Sequence, residues 1–145
     1  MVKLYFCQKY NNMKTIFSQL LIGISFVCSA QQLQVVPLGV YGGSNEGNLS
    51  SYLVGEMNST DFIALDGGTI NNGIYKAIEK GTFETDYSTV LKDYIKGYFI
   101  SHGHLDHLSG MIINSPEDSK KPIYGVSETI AVLKNNYFTN NAWAN

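Results

Sequence analysis

Residues 98–107 read Tyr-Phe-Ile-Ser-His-Gly-His-Leu-Asp-His, and this stretch decides the fold. Its first three residues are apolar and predict a short buried strand, and the polar remainder predicts a turn that opens a helix. All three histidines of the chain lie in this turn, at His102, His104 and His107. Ligands bind beyond the carboxyl ends of strands in α/β proteins, so we expect a binding site here.

The spacing within this turn suits metal ions. Residues two apart in an extended segment point to the same side, so His102 and His104 can direct two imidazoles at one ion. The following helix begins further along, and its first polar residues can serve a second ion. Imidazole and carboxylate together suit zinc, and also iron or manganese. We therefore predict four metal ligands, His102, His104, Asp106 and His107, with Asp106 also the candidate catalytic residue; a solvated polar turn is the alternative.

Composition limits the other classes of function. The chain has 145 residues, of which 44% are apolar and 15% charged, which suits one small globular domain. Its net charge of −2 implies no general surface for polyanions such as nucleic acid polymers. The two cysteines, Cys7 and Cys28, both lie near the N-terminus, so thiolate metal sites are excluded from the rest of the chain.

The first 30 residues have the pattern of a leader. Lys14 is followed by an apolar run over residues 16–27 and then by Cys28-Ser29-Ala30. A short positive region, an apolar core and a small-residue end are typical of a signal peptide, and the run is too short to span a bilayer comfortably. We expect export to the periplasm or the medium, with residues 31–145 forming the domain. The alternatives are a buried N-terminal helix and a lipid anchor on Cys28.

The remaining sequence predicts strands first and then an alternation of strands and helices, which indicates a layered α/β architecture. Apolar runs bounded by turn formers predict strands over residues 33–40, 49–54, 62–65, 98–100 and 122–125, the first two as a hairpin with a wide loop. Helical spacing predicts helices over residues 71–80, 87–96 and 105–113, and a last one capped by Ser127.

Residues 101–116 read Ser-His-Gly-His-Leu-Asp-His-Leu-Ser-Gly-Met-Ile-Ile-Asn-Ser-Pro. This stretch resembles the signature of the class II cyclic-nucleotide phosphodiesterases, which belong to the metallo-β-lactamase superfamily. Leu105, Gly110 and Ser115-Pro116 make the match more specific than the short histidine pattern that the whole superfamily shares. Residues 42–52 and 65–69 also resemble this family, so the resemblance covers nearly all of the chain after the leader.

The resemblance implies an αββα metallo-β-lactamase-like fold. It also implies hydrolysis of 3′,5′-cyclic nucleotides, most often cyclic AMP, to 5′-monophosphates by a metal-activated hydroxide at a binuclear site. By the same resemblance, His102 and His104 bind one divalent ion and Asp106 and His107 bind the other, with zinc favoured over manganese or iron. The implied partner is a small cyclic nucleotide, with no nucleic acid polymer and no stable membrane span once the leader is removed.

Two upstream features have open interpretations. Asp66 ends a strand one layer before the cluster, and the resemblance implies that it orients the metal site from behind the ligands. It can equally be a turn residue before Gly67-Gly68 that caps its own backbone. The loop over residues 42–48 can cover the site, although a plain wide turn is favoured.

The chain departs from the superfamily after His107. The superfamily uses a further histidine, a bridging aspartate and a last histidine downstream, whereas this chain has no later histidine and only Asp118 as a later aspartate. We therefore expect the N-terminal half of the sandwich, with uncovered apolar faces, poor solubility, weak metal binding and no turnover by the chain alone. The alternatives are another metallo-β-lactamase-like hydrolase, acting on a lactam, thioester or other phosphoester, and a non-catalytic remnant that binds metal or nucleotide.

Overall fold

The structure is a computed structural model that describes residues 31–143. Residues 32–143 form one compact unit. The leader predicted for residues 1–30 lies outside the described residues and stays a prediction. No helix within residues 31–143 is both long enough and apolar enough to cross a membrane.

A five-stranded mixed sheet forms the frame of this unit. Its strands are β1 (Leu33–Gly39), β2 (Ser51–Glu56), β3 (Phe62–Leu65), β4 (Ile95–Phe99) and β5 (Ile123–Tyr124). They lie side by side in chain order. β1, β2 and β3 form antiparallel pairs, which confirms the predicted hairpin, whereas β4 runs parallel to both β3 and β5.

Helical segments connect the parallel strands, as parallel pairing requires. Two of them lie between β3 and β4: α1 (Asn71–Glu79), and α2 (Tyr87–Thr89) continued by the π-helical turn Val90–Tyr94. The 3₁₀ turn Leu105–His107 and α3 (Ser109–Asn114) lie between β4 and β5. The described part of the chain closes with α4 (Ser127–Val132) and a second π-helical turn, Leu133–Tyr137.

Two predicted helices have different limits. The helix predicted for residues 87–96 ends at Tyr94, because Ile95 is fully buried and pairs with Phe62 in the sheet. The helix predicted for residues 105–113 is interrupted at Leu108, whose φ of −144° is not helical. Leu108 is also fully buried, so the chain bends to place this side chain in the core.

The predicted cap of the last helix was wrong by one residue. Val126, with extended backbone angles, holds the N-cap position, and Ser127 is the first helical residue. The Ser127 hydroxyl donates to the Glu128 carboxylate at 3.0 Å and does not cap the helix. The backbone therefore begins the helix one residue earlier than side-chain chemistry alone indicates.

The hydrophobic core lies between the sheet and the crossover helices. Leu53 and Ala64 point from neighbouring strands into this core and are fully buried. Ile74 from α1 and Leu91 from the first π-helical turn are equally buried and belong to the same cluster. Packing of these helices fixes where β3 and β4 end, and therefore where the segments that follow them lie.

Several strand residues outside this core are apolar and exposed. Leu65 is paired with Phe99, and Phe99 is paired with Tyr124, so three apolar side chains are adjacent across three strands. They are 40%, 46% and 52% exposed, in that order, and Val35 on β1 is 58% exposed. Among the described residues, the expectation of uncovered apolar sheet surface is thus confirmed.

Candidate metal centre

The histidine turn lies where the two parallel strands β3 and β4 end side by side. Leu65 and Phe99 are their last paired residues, so Asp66 and Ser101 follow at the same edge of the sheet. The Asp66 amide donates to the Phe99 carbonyl at 2.8 Å, and the Ser101 amide donates to Asp66 Oδ1 at 2.8 Å. The register of one parallel pair therefore joins the two segments that carry the candidate residues.

Asp66 adopts an unusual backbone conformation at this point. Its φ is +59°, in the left-handed region that few residue types other than glycine, asparagine and aspartate occupy readily. This turn directs the carboxylate across the edge of the sheet towards His107, whose Nδ1 lies 2.7 Å from Asp66 Oδ2. The Ser50 hydroxyl donates to the same oxygen at 3.3 Å.

These contacts lower the pKa of Asp66. Burial raises it, but hydrogen bonds with His107 and Ser101 and the charge of His107 outweigh burial and bring the pKa below its ordinary value of 3.8. Asp66 is therefore an ionised acceptor at neutral pH. Its carboxylate accepts a hydrogen bond from the Ser101 amide and lies against His107. Asp66 is therefore more than a turn residue that caps its own backbone.

The three histidine rings are close together. The ring centroids of His102 and His104 are 4.6 Å apart, and those of His102 and His107 are 4.1 Å apart. His104 is exposed, and the other two rings are half-buried. The turn therefore brings the three imidazoles together, with His102 between the other two, and does not set His107 apart from His102 and His104.

Asp106 is held from the loop that precedes β2. The Gly43 amide donates to Asp106 Oδ2 at 2.9 Å, and the same oxygen lies 3.2 Å from His107 Nε2. Burial raises the pKa of Asp106. The hydrogen bond from its own amide, the charge of His107 and the hydrogen bond from the Gly43 amide outweigh burial and bring the pKa below 3.8. The loop over residues 42–48 therefore contacts the cluster, and its interpretation as a plain turn was incomplete.

Glycine at two positions lets the backbone approach this turn closely. A Cβ at Gly103 would lie 2.7 Å from Val132 Cγ1 on α4. A Cβ at Gly68 would lie 2.6 Å from Leu49 Cβ and would also overlap the Asp106 carbonyl. Side chains at these positions would push the turn away from its supports.

The donor atoms of the histidine turn fit a metal ion in their chemistry. In the described region, no three side chains of His, Cys, Asp or Glu converge as a ready-made set of ligands. The cluster nevertheless suits divalent ions, because imidazoles and a carboxylate are the ligands that zinc accepts. In tetrahedral coordination, two ligands that each lie about 2.0–2.2 Å from one zinc ion are about 3.3–3.6 Å apart, and His107 Nε2 and Asp106 Oδ2 are 3.2 Å apart.

Asp118 does not belong to this cluster. Its carboxylate pairs with the Lys121 ammonium and accepts a hydrogen bond from the Tyr98 hydroxyl at 2.7 Å. The side chains of Asp118 and Lys121 are only 7% and 5% exposed. Asp118 is therefore engaged in a nearly buried ion pair beside Tyr98 of β4.

Sequence reasoning missed three groups that touch the cluster. They are the hydroxyls of Ser50 and Ser101 and the amide of Gly43. Ser101 directly precedes His102 in the sequence, and this adjacency was a visible signal that its hydroxyl lies near the cluster. Ser50 and Gly43 lie in the stretch 42–52 that resembles the family, but their spacing does not predict contact with the cluster, because their proximity depends on tertiary packing.

Comparisons with known proteins identify the family of the chain. Residues 84–145 match the family model described as cAMP phosphodiesterases class-II. The chain is 41% identical to the 3′,5′-cyclic-nucleotide phosphodiesterase of Aliivibrio fischeri, over 93% of the chain and 44% of that protein. It is 44% identical to the probable 3′,5′-cyclic-nucleotide phosphodiesterase of Yersinia pestis, over 81% of the chain and 37% of that protein.

A solved structure supports the fold. The crystal structure of unliganded yeast PDE1 superposes with a TM-score of 0.70 at 20% identity, covering 79% of this chain and 47% of that one. The chain thus spans less than half the length of the two bacterial relatives and of the yeast protein. The mixed sheet with its crossover helices is part of a metallo-β-lactamase fold. By sequence, the chain belongs to the class II cyclic-nucleotide phosphodiesterase family.

Proposed function

We propose that the protein hydrolyses 3′,5′-cyclic nucleotides, with cyclic AMP as the first candidate, to the 5′-monophosphates. The observation that carries this proposal is the clustering of three histidines and Asp106 at the carboxyl end of β4, in a chain similar to proteins named as such phosphodiesterases. The family implies the use of divalent metal ions.

Four residues are proposed to hold these ions. His102 and His104 would contact one ion, and Asp106 and His107 would contact the other, with zinc as the first candidate and manganese or iron as alternatives. Bound ions of this kind lower the pKa of water and offset the charge that develops on phosphoryl oxygens. The ring of His102 adjoins both proposed pairs, since its centroid is 4.6 Å from that of His104 and 4.1 Å from that of His107.

The surrounding residues would keep the donors in place. Asp66 holds His107 through Nδ1, and this leaves Nε2 directed at Asp106. The Gly43 amide fixes Asp106 from the opposite side. When Nδ1 of His107 carries the only ring proton, Nε2 and Asp106 Oδ2 present lone pairs to each other. This arrangement favours a cation between them.

The proposed activity is tested with protein expressed from the complete reading frame that encodes this chain. Cyclic AMP, cyclic GMP, a β-lactam and a thioester are offered separately, and products are measured by chromatography. We expect 5′-AMP from cyclic AMP, loss of activity after chelation, and recovery with zinc or manganese. His104→Ala should lower the rate by at least about 100-fold, whereas Lys96→Ala, on an exposed part of β4, should not.

Other outcomes would contradict the proposal. Turnover of the lactam or thioester without turnover of cyclic nucleotides would indicate a different hydrolase of the same fold. Tight binding of cyclic AMP without turnover, by protein loaded with metal, would indicate a binding protein.

We also propose that residues 1–30 direct export. The support is the apolar run over residues 16–27, followed by the small residues Ser29 and Ala30. Mass spectrometry of protein recovered outside the cytoplasm should show a mature N-terminus at Gln31. An intact N-terminus on protein retained in the cytoplasm would contradict export.

A further inference from the structure

The Ser101 hydroxyl lies between the carboxylate of Asp66 and the rings of His102 and His107. Its hydroxyl oxygen lies 3.1 Å from Asp66 Oδ2 and 3.0 Å from His102 Nδ1. It is also 3.5 Å from His107 Nδ1. The backbone amide of the same residue donates to Asp66 Oδ1 at 2.8 Å, which fixes the serine relative to the carboxylate.

The number of available protons determines how these contacts are made. An ionised carboxylate only accepts hydrogen bonds, so the ring proton of His107 must lie on Nδ1 for the 2.7 Å contact with Asp66 to be a hydrogen bond. The serine hydroxyl has one hydrogen, and its 3.1 Å contact with Asp66 Oδ2 uses it in the same way. The lone pairs of the serine oxygen are then free to accept a hydrogen bond from His102 Nδ1.

The opposite assignment leaves an unfavourable contact. If the Ser101 hydroxyl donated to His102 Nδ1, its oxygen and Asp66 Oδ2 would face each other at 3.1 Å with no hydrogen between them. The assignment that satisfies every contact runs from His102 Nδ1–H to Ser101 Oγ, and from Ser101 O–H to Asp66 Oδ2. It places the free lone pair of His102 on Nε2.

We propose that Ser101 is a positioning residue that fixes the Nδ1–H tautomer of His102 and so makes Nε2 its ligating atom. This inference rests on the metal site proposed above. Asp66 thereby orients two ligands, His107 by direct contact and His102 through Ser101. Histidine ligands commonly have their second nitrogen held in this way by a carboxylate, a carbonyl or water, and such partners orient the ring and tune its basicity.

A purely structural role for this hydroxyl has little support. Ser101 is exposed, and its hydroxyl has polar contacts with Asp66, His102 and His107. Removal of the hydroxyl should therefore leave the fold intact and change only the proton positions of the histidines. Ser109 provides a matched control, since its hydroxyl lies two residues beyond His107 and donates to the Gly68 carbonyl at 3.1 Å.

The first test reads the tautomers without metal or substrate. Long-range ¹H–¹⁵N spectra of the imidazole rings are recorded at mildly alkaline pH on metal-free protein from the complete reading frame. We expect Nδ1–H for His102 and His107 in the wild type, in Ser101→Thr and in Ser109→Ala. In Ser101→Ala, His102 should change to Nε2–H or to a mixture while His107 keeps Nδ1–H.

The second test measures zinc affinity by competition with a chromophoric chelator. Ser101→Ala should weaken zinc binding by about 10-fold, Ser101→Thr should restore it, and Ser109→Ala should leave it unchanged. If Ser101→Ala does not fold, Ser101→Val replaces it, because valine has nearly the shape of threonine but carries no hydroxyl.

The outcomes separate this inference from the proposed function. Wild-type His102 with its proton on Nε2, or Ser101→Ala with an unchanged His102 tautomer, overturns the role of Ser101 whatever the enzyme hydrolyses. The expected tautomers in a protein that does not hydrolyse cyclic nucleotides would support the role of Ser101 and contradict the proposed activity instead.

Discussion

Asp66 and His107 are 41 residues apart in sequence, yet Oδ2 of the first lies 2.7 Å from Nδ1 of the second. Both side chains are largely buried, at 13% and 18% exposed. A contact of this kind sets which nitrogen of the imidazole is available to a ligand, because a proton held on one ring nitrogen leaves the lone pair on the other.

We therefore predict that Asp66→Asn weakens zinc binding by about 10-fold to 100-fold. Asparagine tolerates the left-handed backbone of this residue, so the turn should be kept. Its amide nitrogen, placed where Oδ2 lies, would donate to His107 Nδ1 and move the ring proton to Nε2. Competition with a chelator measures the change, and Asp61→Asn, at the exposed end of a surface ion pair, should have no effect.

The buried pair of Asp118 and Lys121 allows a stability prediction. Asp118→Ala should lower the free energy of unfolding by about 3 kcal/mol, because it leaves a nearly buried ammonium without its carboxylate. Burial also lowers the pKa of Lys121, against the effect of Asp118. Urea denaturation measures the loss.

The exposed pair of Lys96 and Asp61 is the control for that experiment. These side chains are 49% and 68% exposed and 3.2 Å apart, so Asp61→Ala should change stability by less than about 1 kcal/mol. Equal losses from the two substitutions would show that burial does not decide the strength of the Asp118 pair.

Gly68 is predicted to be intolerant of a side chain. Gly68→Ala should destabilise the fold by about 1–3 kcal/mol, because its neighbours include backbone atoms such as Ser50 O, 2.8 Å from the added Cβ. Gly47→Ala, whose nearest atoms would be 3.6 and 3.8 Å away, should change stability by less than about 0.5 kcal/mol. Thermal unfolding of both variants distinguishes the effect of close packing around Gly68 from a general effect of replacing glycine with alanine.

The uncovered apolar side chains of the sheet lead to a prediction about association. The chain of 145 residues should self-associate in solution, and Phe99→Lys with Tyr124→Lys should reduce this, since both residues are about half exposed. Light scattering at several protein concentrations measures the effect. Ile113→Lys, equally exposed but on α3, is the control, and an equal improvement from it would rule out a specific role for the sheet surface.

Asp86 predicts a dependence of stability on pH. The backbone and hydroxyl of Thr89 donate to its carboxylate and lower its pKa below 3.8. The cap therefore stabilises α2 above the unfolded-state pKa, and this contribution is lost as the pH falls through the lower native pKa. Asp86→Asn should unfold with a weaker pH dependence between neutral and acidic conditions, and thermal melts across that range measure it.

The predictions from sequence held where one signal dominated. The apolar run Phe62–Leu65 has no helical period, and the structure forms the strand at those residues. The helix predicted over residues 87–96 was wrong at its end because Ile95 continues the helical period of Val90 and Leu91 although it begins a strand. Pairing of Ile95 with Phe62 places Ile95 in the strand, and this pairing depends on the tertiary structure.

The candidate site shows the same division. The histidine turn could be identified from spacing alone, because its donor residues are neighbours in the chain. The two interpretations of Asp66 could not be separated, since its contacts with Ser101 and His107 depend on the register between two parallel strands. The ion pair of Asp118 was hidden for the same reason: its partners include Tyr98 on β4.

The crossover between β3 and β4 has a kinetic consequence. Asp66 and Ser101 are 35 residues apart, and they meet only after α1, α2 and the parallel pairing of the two strands are in place. An emerging polypeptide cannot present oriented imidazoles before this crossover has closed, although its histidines are already adjacent in the chain. Ion capture by the oriented histidines should therefore be a late event in folding.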